Sequence, residues 1–341
     1  MRLIALVGVS VSLLLSEPPP TRAQAGSLDV ERFRKLRQKL YDRDSEIRWG
    51  AAKAFTELGS EIHLTVNSLR ARVATDVDPK VRAQAAEALG NIGPSAHRAV
   101  PYLAKALQDP NAGVRREAAL ALHQIGLLAK SAIPELIAAL KDESVLVRRR
   151  AADTLGVFGP EARTAVPALI EVLKDPDPGT KQESSVSEIA TASLGQIGPD
   201  AKVAASAMMG ILNTKDSSLR TDALVTLAKI VPKDKKLVPL FVQILKDKDQ
   251  QGLRYAAAMA LGYLGRDARE AVPDLIEALK AVDIKDLKRR SLIFGGVLWA
   301  LEQVGPDAKA AVPAIRALAN DPDEHVRAAS RQALKKLDPV P

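Results

Sequence analysis

The sequence contains no cysteine and few aromatic residues, and both absences narrow the kind of protein it encodes. Without cysteine there is no disulfide framework, no thiolate zinc site and no thiol nucleophile. Aromatic residues make up 3% of the 341 residues, so the core has to be built from aliphatic side chains. At 47% apolar and 26% charged, the chain can bury a core and does not have the composition of a disordered protein.

Motifs of common enzyme chemistries are also missing from the sequence. It has no GxSxG nucleophile elbow, no phosphate-binding GxxxxGK[ST] and no GxGxxG. The four histidines, His63, His97, His123 and His325, are far apart in sequence, and none is followed by glutamate. A metal needs ligand nitrogens about 2 Å from one ion, which this spacing does not favour. The sequence therefore predicts no catalytic residues, no metal and no cofactor.

Residues 1–25 have the pattern of a secretory signal peptide. A positive start at Arg2 precedes an uncharged, mostly apolar run over 3–15, and Ala23-Gln24-Ala25 forms a small-x-small cleavage site. Thirteen helical residues span about 20 Å, which is short of the ~30 Å hydrocarbon core of a bilayer. We expect cleavage after Ala25 and export to the periplasm or the extracellular space. No later run of 18 apolar residues exists, so we expect no membrane span in the mature chain.

The remaining chain consists of one sequence unit that is repeated about eight times. The phrase VRAQAAEALGNIGPSAHRAVPYLAKAL at 81–107 returns in similar form at 114–140 and 147–173. A period near 33 residues is typical of a helical solenoid. Each unit predicts two helices, the first opened by an N-cap residue and closed by glycine, and the second opened by proline. The predicted N-caps are Asp44, Asp78, Asn111, Ser144, Asp216 and Asp323. The closing glycines are Gly59, Gly93, Gly126, Gly159, Gly198, Gly265 and Gly305, with Val231 in the missing place.

This unit resembles HEAT repeats, of the subtype also seen in phycobilisome-lyase-like proteins. The resemblance covers 44–337 and implies an all-α fold, an α-solenoid of about eight two-helix HEAT repeats with capping helices at both ends. It implies that first helices lie outside, that second helices line a concave face, and that one arginine per repeat pairs with aspartate between neighbouring units. Those structural arginines are Arg48, Arg82, Arg115, Arg148, Arg220, Arg254 and Arg327. The predicted organisation is a signal peptide (1–25), an N-terminal capping helix (26–43) and the solenoid with its closing helix and tail (44–341).

Two repeats depart from the pattern and offer candidate binding loops. Each carries an insertion of about six or seven residues before its first helix, at 176–185 and 281–290, and has Ser187 or Phe294 at the arginine position. Such loops often bind partners, although insertions at exposed edges are also simply tolerated. The second loop is the better candidate, and its basic residues are Lys285, Lys288, Arg289 and Arg290.

A basic or potentially basic residue recurs four positions after each glycine. These residues are His63, His97, Lys130, Arg163, Lys202, Lys235, Arg269 and Lys309. Stacking would place them in a ridge along one edge, which suits an anionic partner such as an acidic envelope component. The alternative is stabilisation of the dipole at the end of each first helix. Two aromatic residues, Trp49 and Tyr255, stand beside the arginine position; Tyr255 is a candidate partner anchor, and Trp49 is predicted to pack on the N-terminal cap.

The function predicted from the sequence is that of an exported, non-enzymatic scaffold that binds another protein through its curved surface and edge loops. The alternative that comes with the resemblance is an enzyme or enzyme-accessory subunit of the bilin-lyase or hydroxylase kind. Nucleic acid is not an expected partner, because the second-helix strip is mixed in sign and nearly without aromatic residues. That strip contains Lys105, Lys141, Glu171, Lys174, Gln243, Lys246, Glu277 and Lys280.

Overall fold

A computed structural model describes residues 33–58, 65–180, 182–247, 249–280 and 287–338. The predicted signal peptide, the start of the N-terminal cap, Gly59 and His63 lie outside these residues. The described residues are helical and contain no β-strand. After a helical stretch at 33–39, first and second helices alternate along the chain.

The first helices carry odd numbers and the second helices carry even numbers. The first helices are α1 (Ser45–Leu58), α3 (Pro79–Ile92), α5 (Ala112–Ile125), α7 (Val145–Val157), α9 (Val186–Ile197), α11 (Ser217–Ile230), α13 (Gln251–Leu264), α15 (Leu287–Val304) and α17 (Glu324–Leu337). The second helices are α2 (Val66–Thr75), α4 (Val100–Ala106), α6 (Ile133–Ala139), α8 (Val166–Glu171), α10 (Ala205–Ile211), α12 (Val238–Lys246), α14 (Val272–Leu279) and α16 (Val312–Leu318).

The helices form two layers around one continuous core. Each first helix packs against the first helix of the next repeat, and from α3 onward each also packs against the second helix of the preceding repeat. The core runs from Leu40 to Leu337 and is mostly alanine, leucine, valine and isoleucine, as the shortage of aromatic residues predicts. Since each helix pair buries its apolar face only against its neighbours, the array is stable as a stack. The predicted all-α solenoid is therefore confirmed.

Most of the predicted N-caps open their helices through side-chain hydrogen bonds. Asp78, for example, accepts from the backbone amide of Lys80 at 2.9 Å. Ser144 has the extended backbone of a cap but makes no side-chain cap bond, and its own amide donates to Asp142 at 2.8 Å. Ser144 is therefore the N-cap residue, as predicted, but the predicted side-chain hydrogen bond is absent there.

The glycines end the first helices with a left-handed backbone. Their φ angles are positive at Gly93, Gly126, Gly159, Gly198, Gly265 and Gly305. A seven-residue 3₁₀ helix begins at each of these glycines and leads into the second helix. Examples are Gly93–Ala99 and Gly126–Ala132, and the sequence did not predict this connector. Val231 cannot adopt this conformation without strain and has φ −131°. The connector after Val231 contains only a three-residue 3₁₀ turn, Lys235–Leu237.

The two ends of the array are covered by amphipathic helices. At the N-terminus, Phe33 and Leu36 are half-buried against the core and Leu40 is fully buried. At the C-terminus, α17 buries Val326 and Ala333 on one side and leaves its polar side exposed. Among the described residues, no helix is long and apolar enough to cross a membrane.

Candidate functional site

The arginines at the repeated position form a ladder of buried ion pairs over the first four repeats. Arg82 donates from Nε and Nη2 to the carboxylate of Asp109 at 2.7 and 2.8 Å. Its Nη1 donates to the backbone carbonyls of Asp76 and Val77, at the junction before its own helix. Arg48, Arg115 and Arg148 make the equivalent bonds to Asp76, Asp142 and Asp175. The ladder thus joins each first helix to the junctions on both sides of its repeat.

Charge pairing and burial act in opposite directions on the ladder aspartates. Burial raises the pKa of Asp109, but the hydrogen bonds from Arg82 and from the amide of Asn111 outweigh it, and the pKa lies below its usual value. The hydrogen bond to Asp109 raises the pKa of Arg82. Both groups stay charged at neutral pH, so the ladder is an electrostatic structural element.

The later repeats do not follow the predicted pairing. Arg220 donates to the side-chain oxygen of Gln250 at 2.7 Å, and Arg254 donates to the carbonyl of Leu245 at 2.9 Å. Arg327 donates to two backbone carbonyls at the preceding junction. No aspartate of the described residues pairs with Arg220, Arg254 or Arg327; residues 281–286, which follow the repeat of Arg254, lie outside the described chain. At Arg220, the side chain of Gln250 stands between the arginine and Asp247, to which Gln250 itself donates.

Two arginines outside the repeated position make similar contacts near the insertions, Arg149 on α7 and Arg290 on α15. Arg149 pairs with Asp177 at 2.8 Å and with Glu183 at 2.5 Å, both within the insertion 176–185. Arg290 pairs with Asp321. The first insertion is thus held on α7, and Asp177 in the sequence PDPG was the signal for this contact.

The predicted binding residues of the second insertion have different environments in the structure. Lys285 lies outside the described residues, as does the side chain of Arg289. Lys288 is exposed. Arg290 is mostly buried in its ion pair and lies 4.7 Å from the ring centroid of Phe294. These contacts give Arg290 a structural role, so its presence in the sequence does not require a binding partner.

The predicted basic ridge follows the 3₁₀ connectors, several of which are neighbours along one edge. Lys130 lies 3.3 Å from Glu161, and Lys235 lies 3.3 Å from Asp267. The other members of the ridge in the described chain are exposed; they are His97, Arg163, Lys202, Arg269 and Lys309. Acidic residues two positions after the glycine therefore interleave with the cations and make this edge mixed in sign.

The second-helix strip is also mixed in sign. Lys141 lies 2.9 Å from Glu171, and Lys246 lies 2.6 Å from Asp274. Exposed ion pairs of this kind contribute little to stability. Their alternating charge gives this strip no strong preference for an anionic or a cationic partner.

The first-helix layer carries an aromatic groove that the sequence analysis recognised only in part. We define the aromatic groove by Tyr255, Met259, Leu292 and Trp299, which line a depression of about 690 Å³ between α13, α15 and α17. Leu292 is 58% exposed. Tyr255 was predicted as an anchor, whereas Trp299 was missed because it lies on the next helix, seven residues after Leu292 on the same face.

Glycine makes room for the tryptophan of this groove. A Cβ atom at Gly262 would lie 2.2 Å from Cζ3 of Trp299, so only glycine lets the indole lie on α13. Tyr263 then meets the indole edge to face, with ring centroids 5.1 Å apart. By contrast, Trp49, at the repeat position of Tyr255, is half-buried with the ammonium of Lys53 5.2 Å from its ring.

An acidic cleft adjoins the aromatic groove. We define the acidic cleft by Asp222, Asp249, Thr221 and Ser217, which line a depression of about 730 Å³ between α11, α13 and α15. Tyr255 and Leu292 line this cleft as well as the groove. The two depressions therefore form one continuous surface.

The carboxyl group of Asp222 has an unfavourable environment. Burial, together with the negative charges of Glu188 and Asp216, raises its pKa to about 6, and Lys229 offsets this only partly. Within the part of the chain that the structure describes, Asp222 and Asp249 are in no ion pair with lysine or arginine. Two carboxylates, those of Asp222 and Asp249, thus share the cleft with one guanidinium, that of Arg220.

Replacing Asp222 by asparagine is expected to raise the free energy of unfolding at neutral pH by about 1 kcal/mol. The pKa lies near 6 in the folded chain against an ordinary value of 3.8, so the folded chain binds more protons between these values. Wild-type stability from this group therefore falls as pH rises through that interval. Urea unfolding at several pH values should show the advantage of Asp222→Asn vanish below about pH 4. The exposed Asp249→Asn is the control with little change, and a less stable Asp222→Asn at neutral pH would contradict the prediction.

No three histidine, aspartate or glutamate side chains of the described residues are placed to hold a metal ion. His123 lies 3.5 Å from Asp153, and His325 lies at the rim of the aromatic groove.

The fold and these surfaces define the class of the protein as a HEAT-repeat α-solenoid. The sequence profile of HEAT repeats matches residues 66–140 and 133–228, and that of the PBS lyase HEAT-like repeat matches residues 253–281. The chain therefore contains HEAT repeats of both descriptions. No curated protein is significantly similar to it in sequence.

Solved structures share the fold at low sequence identity. Importin β superposes with a TM-score of 0.63 at 14% identity over 92% of this chain and 48% of that chain. A Kap95–Nup1 complex gives 0.62 at 13% identity over 89% and 46%. An engineered protein gives 0.54 at 22% identity over 93% and 91%. The chain thus spans about half the length of importin β, and these likenesses show the fold alone.

Proposed function

We propose that the protein is a non-enzymatic scaffold that is exported and binds another protein through its first-helix layer. The observation that carries the proposal is the aromatic groove. Exposed apolar patches rimmed by polar groups mark interaction sites, and tryptophan and tyrosine dominate the energetics of protein interfaces. A solenoid of the same fold is seen with a partner in the Kap95–Nup1 complex. The signal-peptide pattern of residues 1–25 supports export.

The test is site-directed photo-crosslinking in the native cell envelope. A photoreactive amino acid replaces Leu292 in the groove or, as the matched control, Lys105 on the second-helix strip. We expect one protein, identified by mass spectrometry, to be captured from position 292 and not from position 105. Failure to capture any protein from either position contradicts the scaffold function. Capture from position 105 alone would move the interface to the second helices.

Two further measurements separate the proposal from its alternatives. N-terminal sequencing of the protein from cell fractions should give Gly26 as the first residue in the exported fraction. A full-length chain in the cytoplasmic fraction would contradict export. Metal analysis of the purified protein should find no stoichiometric iron, and finding it would favour the hydroxylase-like alternative.

A further inference from the structure

The aromatic groove and the acidic cleft share a wall, and together they discriminate between possible partners. Tyr255 and Leu292 line both depressions, so a ligand that fills one meets the other. One end offers apolar and aromatic side chains bordered by charged ones, and the other end offers Asp222 and Asp249 together with Arg220 and hydroxyl groups. The charged side chains that border the groove are Lys288, Asp323 and His325. A partner that fits this surface has to present apolar and polar chemistry side by side.

The polar end carries more negative than positive charge. Asp222 and Asp249 line the cleft together with one cation, Arg220, which donates to the neutral side chain of Gln250. Glu188 and Asp216 add to the negative potential at Asp222, and Lys229 offsets it only partly. The ammonium of Lys229 lies 4.9 Å from the ring centroid of Tyr263. In the described part of the chain, neither Asp222 nor Asp249 is in an ion pair with lysine or arginine, so both carboxylates can receive a cation from a partner.

We propose that this composite surface binds an extended peptide segment of the partner that carries a lysine or arginine near a bulky apolar side chain. The apolar side chain occupies the aromatic groove against Trp299, and the cation occupies the acidic cleft beside Asp222 and Asp249. Packed helices lie about 8–10 Å apart, and an extended chain advances about 3.3 Å per residue. The two side chains are therefore about three residues apart. This inference rests on the proposed scaffold function and specifies the chemistry of the partner.

The size of the surface suits such a segment. The two depressions, about 690 and 730 Å³, are each large enough to take one large side chain with neighbouring backbone. An aromatic groove next to the carboxylates of the acidic cleft gives a cation both Coulomb attraction and contact with the ring of Tyr255, which lines both depressions. An acidic segment would meet repulsion from the same carboxylates, so the surface selects against it.

Panning of a random twelve-residue phage-displayed peptide library on the full chain tests this inference without a known partner. The library is first depleted on the Leu292→Ser/Asp249→Lys variant. Both changes are at exposed residues, so the variant keeps the fold. We expect enriched peptides to carry a basic residue about three positions from a tryptophan, phenylalanine or leucine. Enrichment of acidic or uncharged peptides, or no enrichment at all, overturns the inference.

A synthetic peptide with the enriched sequence then separates the two ends of the surface. Fluorescence anisotropy should show at least tenfold weaker binding to Leu292→Ser and to Asp249→Lys, and weaker binding of wild type at higher salt. The control Trp49→Ser, at the repeat position of Tyr255, should bind like wild type, as should the ridge variant Lys130→Glu/Arg163→Glu/Lys202→Glu. Equal affinity for wild type and Leu292→Ser overturns the assignment.

The outcomes distinguish this inference from the proposed function. A protein captured by crosslinking, combined with no preference for basic peptides, leaves the scaffold function standing and removes the partner chemistry. Basic peptides that depend on Leu292 and Asp249, combined with no protein captured in the envelope, support the surface assignment and contradict the scaffold function.

Discussion

Replacement of Arg115 by alanine is expected to lower the free energy of unfolding by about 3–5 kcal/mol. The side chains of Arg115 and Asp142 are 9% and 10% exposed, and they are joined by two hydrogen bonds of 2.7 and 2.9 Å. The hydrogen bond to Asp142 raises the pKa of Arg115. Without the guanidinium, a buried carboxylate and the carbonyl of Asp109 lose their partner. Urea unfolding followed by far-UV circular dichroism measures the loss.

An exposed arginine on α7 supplies the control for this prediction. Arg150 is 45% exposed and pairs with Asp153, which is 38% exposed, so Arg150→Ala should change stability by less than about 1 kcal/mol. The double variant Arg115→Met/Asp142→Leu removes both charges together and should recover most of the loss. Equal effects of Arg115→Ala and Arg150→Ala would show that the ladder does not stabilise the stack.

Replacement of Gly90 by alanine is expected to destabilise the protein by about 1–3 kcal/mol. A Cβ atom at this position would lie 2.9 Å from Cα of Ala121 on α5 and 2.1 Å from the side-chain oxygen of Gln124. The glutamine can rotate away, but the backbone of α5 cannot, so α3 and α5 have to separate. Thermal unfolding monitored by circular dichroism measures the effect.

A second glycine tests whether the loss at Gly90 comes from contact between helices. Gly210 lies in α10, and a Cβ atom there meets nothing within 4 Å. Gly210→Ala should therefore stabilise the chain by about 0.5–1 kcal/mol through helix propensity alone. If both alanine variants shift stability in the same direction, close approach of α3 and α5 is not the reason for Gly90.

The repeat pattern of the sequence predicted the fold because each recurring residue has a local physical role. Asp78 opens α3, Gly93 ends it with a positive φ, and Pro101 begins the next helix. These effects act within a few residues and can be read from one copy of the unit. The 3₁₀ connector was missed because its turns depend on how the second helix docks, which is a property of the assembled stack.

The candidate site was harder to predict because it is made by several repeats together. Tyr255 was found because it differs from the residues at the same repeat position. Trp299 and Asp222 are at other positions of their own repeats, and only packing of α11, α13 and α15 brings them to one surface. The sequence predicted Arg290 to bind a partner. In the structure Arg290 pairs with Asp321 instead, from a position four residues before the usual arginine position of the repeat.

The ladder has a consequence for how the chain tolerates rearrangement. The carboxylate of Asp109 accepts hydrogen bonds from Arg82, and its backbone carbonyl accepts one from Arg115. In the same way, the carboxylate of Asp142 accepts from Arg115 and its backbone carbonyl accepts from Arg148. The ladder contacts are therefore the same at successive junctions of this half and do not distinguish one unit from another. At the insertion that follows, Asp177 and Glu183 pair with Arg149, a contact that the earlier described junctions lack. Duplication or loss of a whole unit before residue 175 would therefore preserve the pattern of ladder contacts, whereas a change at the insertion would remove a pairing that no other described unit supplies.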